Sequence, residues 1–413
     1  MDKGDIYAIM LGCLGQDRAR CDHAALQRLT SAGWEFLLAE AGQQRVSPLL
    51  YHRLQTGDAL DLLPADVQQR LKTAYQQTAR RNLRAYGELH QLAAALQERQ
   101  IPIIVLKGAY LIDAVYNNIA VRPMRDIDLL APQSSIEDVI ACFVGMGYTP
   151  AHFFESDVAV AVGRHIPIYV KEGRAGFELH WTITQPGQPW SIDVQELWQR
   201  AVPVKLAGSD ILCLSAEDLL LHLCLHVSYQ HQFAFGLRPF CDLAETIHHF
   251  GQALDWEAVI ERTQRWGWER GVYMALLLAQ DMLAAAVPNA VLARLRPRDF
   301  DETLAATAQA QVFTEHFFAG SMSQTYAQVW GGSGLRRRLR LAGGSLFPSR
   351  QIMSLNYPVA HDSPKVFLYY PVRAKDLARR YAGMTWRLLR GDKETGSLAE
   401  RSLKLQQWLQ REP

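Results

Sequence analysis

The sequence lacks several features that would assign it to a specialised class of protein. Its six cysteines include no Cys-x-x-Cys pair, which argues against a zinc ribbon and against a disulfide framework. Its longest strongly apolar window, residues 272–287, contains Gln280 and Asp281 and is shorter than the roughly 20 residues that a bilayer requires. The chain begins Met-Asp-Lys-Gly-Asp, without the basic and then apolar order of a secretion signal. These absences predict a folded cytoplasmic protein.

The charge is nearly balanced but unevenly distributed. The 413 residues carry a net charge of +1, and 49% hydrophobic with 21% charged residues is the composition of a globular protein of two or three domains. Residues 336–413 contain 16 Lys or Arg against 6 Asp or Glu. Solvated Arg-rich helices are the common cause of such a tail, and an anionic membrane surface or RNA is the functional alternative. A location at the periphery of the inner membrane stays open.

Hydrophobic periodicity divides the chain into four parts. Residues 1–95 are Ala-, Leu-, Gln- and Arg-rich with apolar residues every three or four positions, which predicts a helical N-terminal region. The β-branched run at 101–106 opens a mixed core over 96–214, with extended segments at 126–130, 166–171, 177–183 and 212–215. A helical domain over 215–330 and a basic helical tail over 331–413 follow. The predicted class is α+β, with a small mixed sheet flanked by N- and C-terminal helical regions.

Two helix starts within the core are predicted from capping patterns. Ser134 and Glu137 have the spacing of a capping box for a helix that extends to about residue 146. Ser215 precedes Glu217 and Asp218 at the start of a long helical run that extends to about residue 229.

The segment Arg122-Pro-Met-Arg-Asp-Ile-Asp-Leu-Leu130 carries the strongest chemical pattern. In a strand, side chains alternate between the faces, so Asp126 and Asp128 project together. Two adjacent carboxylates repel unless a cation lies between them, and a hard ion such as Mg²⁺ or Mn²⁺ fits oxygen ligands best. Glu178, which shares its strand face with His180, is the candidate third acid.

Lys107 and Gly108 lie where the first strand ends and a helix begins. A glycine there lets backbone approach a phosphate, free amides of the first helical turn face the anion, and the lysine adds a point charge. We expect a triphosphate-binding turn opposite the acids.

Together these residues resemble the DNA polymerase beta-type nucleotidyltransferase superfamily, and more closely an uncharacterised bacterial nucleotidyltransferase family associated with exopolysaccharide gene clusters. The resemblance covers residues 95–250 best. It implies that Asp126, Asp128 and Glu178 are catalytic metal ligands, that Lys107 and Gly108 contact phosphate, and that Arg122 or Arg125 clamps the triphosphate. Lys-Gly replaces the Gly-Ser that is usual in the superfamily.

The activity that this resemblance implies is Mg²⁺-dependent transfer of NMP from a nucleoside triphosphate, such as ATP, to an unknown hydroxyl or phosphate acceptor, in exopolysaccharide biosynthesis. Two alternatives stay open. One is a non-catalytic nucleotide-binding or assembly protein of a polysaccharide pathway. The other is a toxin-like tRNA nucleotidyltransferase, for which the basic tail would contact phosphates.

A histidine-rich helix is the second candidate cluster. His222 and His226 are one helical turn apart, and His231 and Asp242 follow, which is a spacing compatible with zinc. The Glu beside the first histidine of a His-Glu-x-x-His motif is absent. The alternatives are a buried helix with satisfied histidines, or a helix that brings His222, His226, Arg238 or Asp242 to the substrate pocket beside His180.

Overall fold

A computed structural model of the protein describes residues 1–152, 163–185, 192–313, 343–390 and 393–411. The N-terminal region is helical, as predicted. Its helices are α1 (Lys3–Leu14), α2 (His23–Gln27), α3 (Ser31–Gln43), α4 (Ser47–Thr56) and α5 (Ala65–Glu98), with short 3₁₀ turns at Arg18–Arg20 and Leu60–Leu62.

A seven-stranded mixed sheet forms the centre of the molecule. Its strands are β1 (Ile104–Val105), β2 (Asp126–Leu130), β3 (Thr149–Pro150), β4 (Tyr169–Val170), β5 (Gly176–His180), β6 (Val202–Leu206) and β7 (Ser209–Cys213). Their spatial order is β3-β4-β5-β2-β1-β7-β6. The β2–β5 and β1–β7 pairs are parallel and the other pairs antiparallel.

In the part of the chain that the structure describes, three helical segments connect the strands. They are α6 (Lys107–Tyr110), which continues as a π-helical turn over Leu111–Val115, α7 (Ile136–Gly145) and α8 (Val194–Arg200). A 3₁₀ turn at Gln133–Ser135 precedes α7, so this helix begins later than predicted and no side chain caps its first turn. The predicted capping box of Ser134 and Glu137 is therefore wrong.

Helices also follow the sheet, as predicted. They are α9 (Ala216–Leu225) with a π-helical turn at His226–Gln230, α10 (Arg238–Phe250), α11 (Trp256–Arg265), α12 (Glu269–Leu283), α13 (Asn289–Leu295), α14 (Glu302–Val312), α15 (Arg350–Ser354), α16 (Tyr369–Leu389) and α17 (Lys393–Leu409). Further 3₁₀ turns lie at Gly251–Ala253 and Pro364–Leu368. The Ser215 hydroxyl accepts a hydrogen bond from the Asp218 amide and caps α9, which confirms that predicted start. The predicted boundary at residues 330 and 331 lies outside the described residues, and the division into four parts stays a prediction.

The hairpin of β6 and β7 was missed, because only residues 212–215 were predicted to be extended there. Its two-residue turn is Ala207-Gly208, and both residues have positive φ, 54° and 78°. Such a turn suits the twist of a hairpin, but alanine is a rare residue at positive φ. Of the two turn residues, only the glycine is therefore of a type that predicts a hairpin turn from sequence.

The long helix α5 supports the sheet and the loop before β2. Its buried positions recur every three or four residues, as expected for one apolar face. Asn82 is fully buried on this face, and its amide donates to the backbone carbonyls of Ile119 (2.7 Å) and Arg122 (2.8 Å). Its side-chain oxygen accepts from the Met124 amide at 3.3 Å. One buried side chain thus fixes the loop that leads into the Asp-x-Asp strand.

A second close contact holds the π-helical turn at His226–Gln230. Gly271 in α12 approaches this turn so closely that a Cβ there would overlap the ring of Tyr229 and lie 2.6 Å from the Ser228 hydroxyl. The Gly271 amide also donates to the Tyr229 hydroxyl at 3.2 Å. The glycine therefore sets the distance between α12 and the turn.

We predict that Gly271→Ala lowers the free energy of unfolding by about 1–3 kcal/mol, because the added methyl group overpacks this contact. Gly87→Ala is the matched control, since a Cβ at this position of α5 meets nothing within 4 Å. It should stabilise by up to about 1 kcal/mol through helix propensity. Urea unfolding followed by circular dichroism measures both, and equal effects of the two variants would contradict the packing argument.

Candidate active site

The acids lie on two adjacent parallel strands. In the β2–β5 register, Asp128 is paired with Glu178 and Asp126 with Gly176. Because side chains alternate along a strand, the two aspartates share a face with Glu178 and His180. The other face enters the hydrophobic core through Ile127, Leu129, Phe177 and Leu179. The prediction that separated parts of the chain would bring these acids together is confirmed at the level of strand pairing.

Cationic and imidazole groups surround the two paired acids. The Lys107 ammonium lies 3.3 Å from Oδ1 of Asp128. Nε2 of His180 lies 3.4 Å from the same oxygen and 3.5 Å from Oε2 of Glu178. On the outer side, Nδ1 of His165 lies 3.1 Å from Oε1 of Glu178. His165 also pairs with His180 in an isolated β-bridge.

Asp128, Glu178 and His180 have the arrangement of a metal site. One potential ligand atom from each lies within 4.8 Å of the others, and among the described residues no other group of three His, Cys, Asp or Glu does so. His180 is buried, and in the described part of the chain neither of its ring nitrogens completes a hydrogen bond. A buried nitrogen without a partner, directed at two carboxylates, fits a cation between them.

Asp126 lines the same cavity but is not a member of this three-residue group. Within the described residues it has no ion-pair partner. Burial and then the Asp128 carboxylate raise the pKa of Asp126, although Lys107 opposes them. Burial and a neighbouring carboxylate both disfavour the charged form of Asp126, and a cation bound beside it would favour that form.

The paired acids behave in the opposite way. Burial by itself would raise the pKa of Asp128, but Lys107 and His180 hold it well below its usual range. Burial likewise opposes ionisation of Glu178, and His180 and then His165 lower its pKa. Both are therefore carboxylates at neutral pH, which is the form that binds a cation.

These groups open onto a cavity of about 240 Å³ with a largely basic wall. Its cations are Arg45, Lys107, Arg122, Arg125, Arg164 and Arg238. Burial and then the nearby Arg122 lower the pKa of Arg238 to about 10, so it stays charged at neutral pH. The cavity thus combines acids that have the arrangement of a metal site with a surface suited to a polyanion.

Arg122, one of the two predicted triphosphate clamps, is paired with the carboxylate of another side chain. Its guanidinium donates from Nε to Oδ1 of Asp242 (2.7 Å) and from Nη2 to Oδ2 (2.8 Å), and both side chains are buried. Tyr116 also donates to Oδ1 of Asp242 at 2.9 Å. A bidentate buried pair of this kind leaves Arg125, which is exposed, as the freer of the two predicted clamps.

Gly108, the predicted phosphate contact, also lies in a closely packed position. A Cβ at this position would lie 3.3 Å from Nη1 of Arg122 and 3.3 Å from the sulfur of Met124. The glycine therefore lets the first turn of α6 rest on the buried arginine. The same turn starts with Lys107, so packing at Gly108 also positions the lysine beside Asp128.

The candidate residues of the histidine-rich segment have different surroundings: some line the cavity and one lies in the core. His226, Arg238 and Asp242 line the cavity, as does His231, whereas His222 is buried and absent from its lining. The α-helical spacing that would join the first two histidines ends at His226, where the π-helical turn begins. Within the described residues these side chains form no group with metal-ligand spacing, so the zinc interpretation gains no support.

Three contributors were missed in the sequence: Arg45, Arg164 and His165. Arg45 belongs to the N-terminal helical region, between α3 and α4, and no local motif connects it with β2. Arg164 and His165 precede β4, and only the pairing of His165 with His180 brings them to the acids. Long-range contacts of this kind leave no pattern in a single sequence.

Paired acids on neighbouring parallel strands, beside a Lys-Gly turn that opens a helix, define a protein of the nucleotidyltransferase class. The sequence matches the family described as uncharacterised nucleotidyltransferase over residues 30–284, which is more than half of the chain. The protein belongs to this family and is a transferase.

Comparison with solved structures finds similarity to the antibiotic-resistance factor ANT(2″)-Ia. Its solution structure aligns at 16% identity and a TM-score of 0.32, over 48% of this chain and 96% of that chain. A crystal structure of ANT(2″)-Ia in complex with adenylyl-2″-tobramycin aligns at 16% identity and a TM-score of 0.32, over 44% and 95%. No curated protein matches the chain. None of the described helices is both long and apolar enough to cross a membrane.

We predict that acid destabilises the protein partly through His231. Burial, followed by Lys107 and other cations, lowers the pKa of His231 to about 3, against about 6.5 for a free histidine. Between these values the unfolded state binds a proton that the folded state does not, so the free energy of unfolding falls as pH drops below about 6.5.

His231→Gln should reduce the loss of stability between pH 7 and pH 5 by on the order of 1–2 kcal/mol. Urea unfolding at the two pH values measures it, and the exposed His23, changed to Gln, is the matched control. A loss in His231→Gln equal to that in the wild type would show that this ring does not link stability to pH.

Proposed function

We propose that the protein transfers a nucleoside monophosphate from a nucleoside triphosphate to an acceptor hydroxyl, with Mg²⁺ or Mn²⁺ bound by the acids of β2 and β5. The observation that carries the proposal is the group of Asp128, Glu178 and His180, with Lys107 beside it in a basic cavity. This chemistry has two requirements: acids that bind a cation, and a basic surface that attracts phosphate.

Asp128 and Glu178 are the proposed ion ligands, and His180 either completes the set or orients the carboxylates. Asp126 is the proposed additional oxygen ligand, because it shares their strand face and lines the same cavity. When bound, a divalent ion supplies charge neutralisation for the triphosphate and makes an acceptor hydroxyl easier to deprotonate. Oxygen ligands favour Mg²⁺, and an imidazole ligand is better tolerated by Mn²⁺.

The basic residues orient the triphosphate. Lys107 can turn between Asp128 and a phosphate oxygen, and Arg125 and Arg238 add charge from the two sides of the acids. The acceptor oxygen bonds to the α-phosphorus as the bond from that phosphorus to the bridging oxygen breaks. Pyrophosphate leaves with the electron pair, and the hydroxyl proton passes to solvent or to a carboxylate. Positioning and electrostatics account for catalysis of this kind, without a covalent nucleophile.

The nucleotide base and the acceptor are not specified by these residues. An acceptor used in exopolysaccharide synthesis is the one that the sequence resemblance favours, and we retain it as part of the proposal. The basic tail is proposed to contact an anionic membrane surface or RNA. The contacts of its described residues favour neither of these two partners.

We predict that Asp128→Asn lowers Mn²⁺ affinity at least about tenfold, because it removes a charged ligand and leaves Lys107 unpaired. Transfer of label from α-labelled triphosphates to components of a cell extract should fall at least about 100-fold. Asp210→Asn is the matched control, since this exposed aspartate lies in β7 of the same sheet, outside the cavity.

Electron paramagnetic resonance measures the free Mn²⁺, and chromatography measures the transferred label. The control should differ from the wild type by less than about twofold in both. An Asp128→Asn variant that binds ions and transfers label as the wild type does would refute the proposal.

A further inference from the structure

A second and larger cavity adjoins the candidate active site. Its volume is about 540 Å³, and it shares Arg45, Met124 and Arg125 with the lining of the first cavity. We call it the arginine groove, after the five arginines that line it: Arg45, Arg81, Arg84, Arg125 and Arg174. Its size is that of a small-molecule site, and the shared residues place it next to the cavity that contains the acids.

The groove is built by separate parts of the chain. One face of α5 contributes Gln77, Arg81 and Arg84, which are spaced by four and then three residues and therefore lie on one side of the helix. The segment before β2 contributes Arg125, and the turn before β5 contributes Arg174. Among the described residues that line it, none is an aspartate or glutamate.

The positive charge of the groove is largely uncompensated. Within the described residues, Arg45, Arg81, Arg84 and Arg125 have no ion-pair partner, and only Arg174 pairs with an acid, Glu88, at 3.3 Å. Arg81, Arg84 and Arg125 are exposed, so their guanidinium groups are accessible to an anion in the groove, which would accept their hydrogen bonds and reduce their mutual repulsion.

Arg45 lines both cavities, and its backbone adopts an energetically unfavourable conformation. Its backbone has a φ of 58°, in the left-handed region that non-glycine residues rarely adopt. Its guanidinium lies 5.5 Å from the centre of the Phe235 ring, which Arg238 also contacts at 5.5 Å. Burial and then the neighbouring Arg125 lower the pKa of Arg45, which agrees with a cation held close to another cation.

We propose that the arginine groove binds the phosphate of the acceptor, and that the acceptor is a small phosphorylated molecule such as a sugar or polyol phosphate. This inference rests on the proposed function, because it identifies the second substrate of the same site. A guanidinium fork matches phosphate oxygens, and four unpaired forks favour a dianion over a neutral acceptor. None of the described residues that line the groove is an aromatic residue on which a base could stack, which disfavours an RNA end.

The first test is binding of inorganic phosphate and of glycerol 3-phosphate, measured by calorimetry. It is done with the protein alone and with the α,β-methylene analogue of whichever triphosphate binds. The double variant Arg81→Gln/Arg84→Gln should bind inorganic phosphate and glycerol 3-phosphate at least about tenfold more weakly than the wild type, because it lacks two charged donors. The same variant should keep the nucleotide and Mn²⁺ affinities of the wild type within about twofold.

The matched control is Lys72→Gln/Arg80→Gln, which removes the same charge from exposed positions of the same helix outside the groove. It should bind phosphate within about twofold of the wild type. Equal phosphate binding by the groove variant and the control variant would overturn the inference, even if nucleotide binding and Asp128 dependence uphold the proposed function. Absence of nucleotide binding in the wild type would refute the proposed function, and the phosphate titration would still test the groove.

The second test identifies the source of the phosphate. Label transfer is measured in cell extract that has first been treated with phosphatase or with ribonuclease, each enzyme being removed before the triphosphate is added. Loss of a small labelled product after phosphatase alone is the expected result. A macromolecular product lost after ribonuclease would overturn the inference in favour of RNA, and transfer that resists both treatments would overturn it in favour of an acceptor without phosphate.

Discussion

The structure depends on the placing of two carboxylates, the buried Asp128 and the partly buried Glu178, beside each other. The parallel register of β2 and β5 puts Asp128 opposite Glu178, and the hydrophobic side chains on the other strand face prevent a shift of that register. Two such charges repel strongly away from water. Lys107 and His180 reduce the repulsion but leave Asp126 without a partner, so the site is arranged for a further cation.

The surrounding groups stabilise this arrangement from distant parts of the chain. Asn82 in the long N-terminal helix fixes the loop before β2 by three hydrogen bonds. The buried pair of Arg122 and Asp242 connects the same loop to α10. Gly108 provides the space in which that arginine lies under the first turn of α6. The flanking helices therefore belong to the site as much as the sheet does, because they determine the position of the strand that carries the acids.

The cavity contains both charged side chains and histidines that are neutral. Burial keeps the pKa values of His226 and His231 low, so these rings are neutral at physiological pH and contribute no positive charge. The attraction for anions comes from the arginines and Lys107. The acids among the described residues that line the cavity are Asp126, Asp128 and Glu178 of β2 and β5, together with Asp242 of α10, which is paired with Arg122. Basic side chains continue from there into the groove along α5. Such a gradient guides a polyanion to the acids.

The sequence by itself determined the class of fold, the helical flanks and the Lys-Gly and Asp-x-Asp elements. These follow from local periodicity, from alternation along a strand and from the chemistry of paired acids. Only the tertiary structure decided that His180 joins Asp128 and Glu178, that Arg122 is held by Asp242, and that Arg45 reaches the cavity. Each of these depends on a contact between residues far apart in the chain, and such contacts are set by strand pairing and helix packing, which local patterns do not encode.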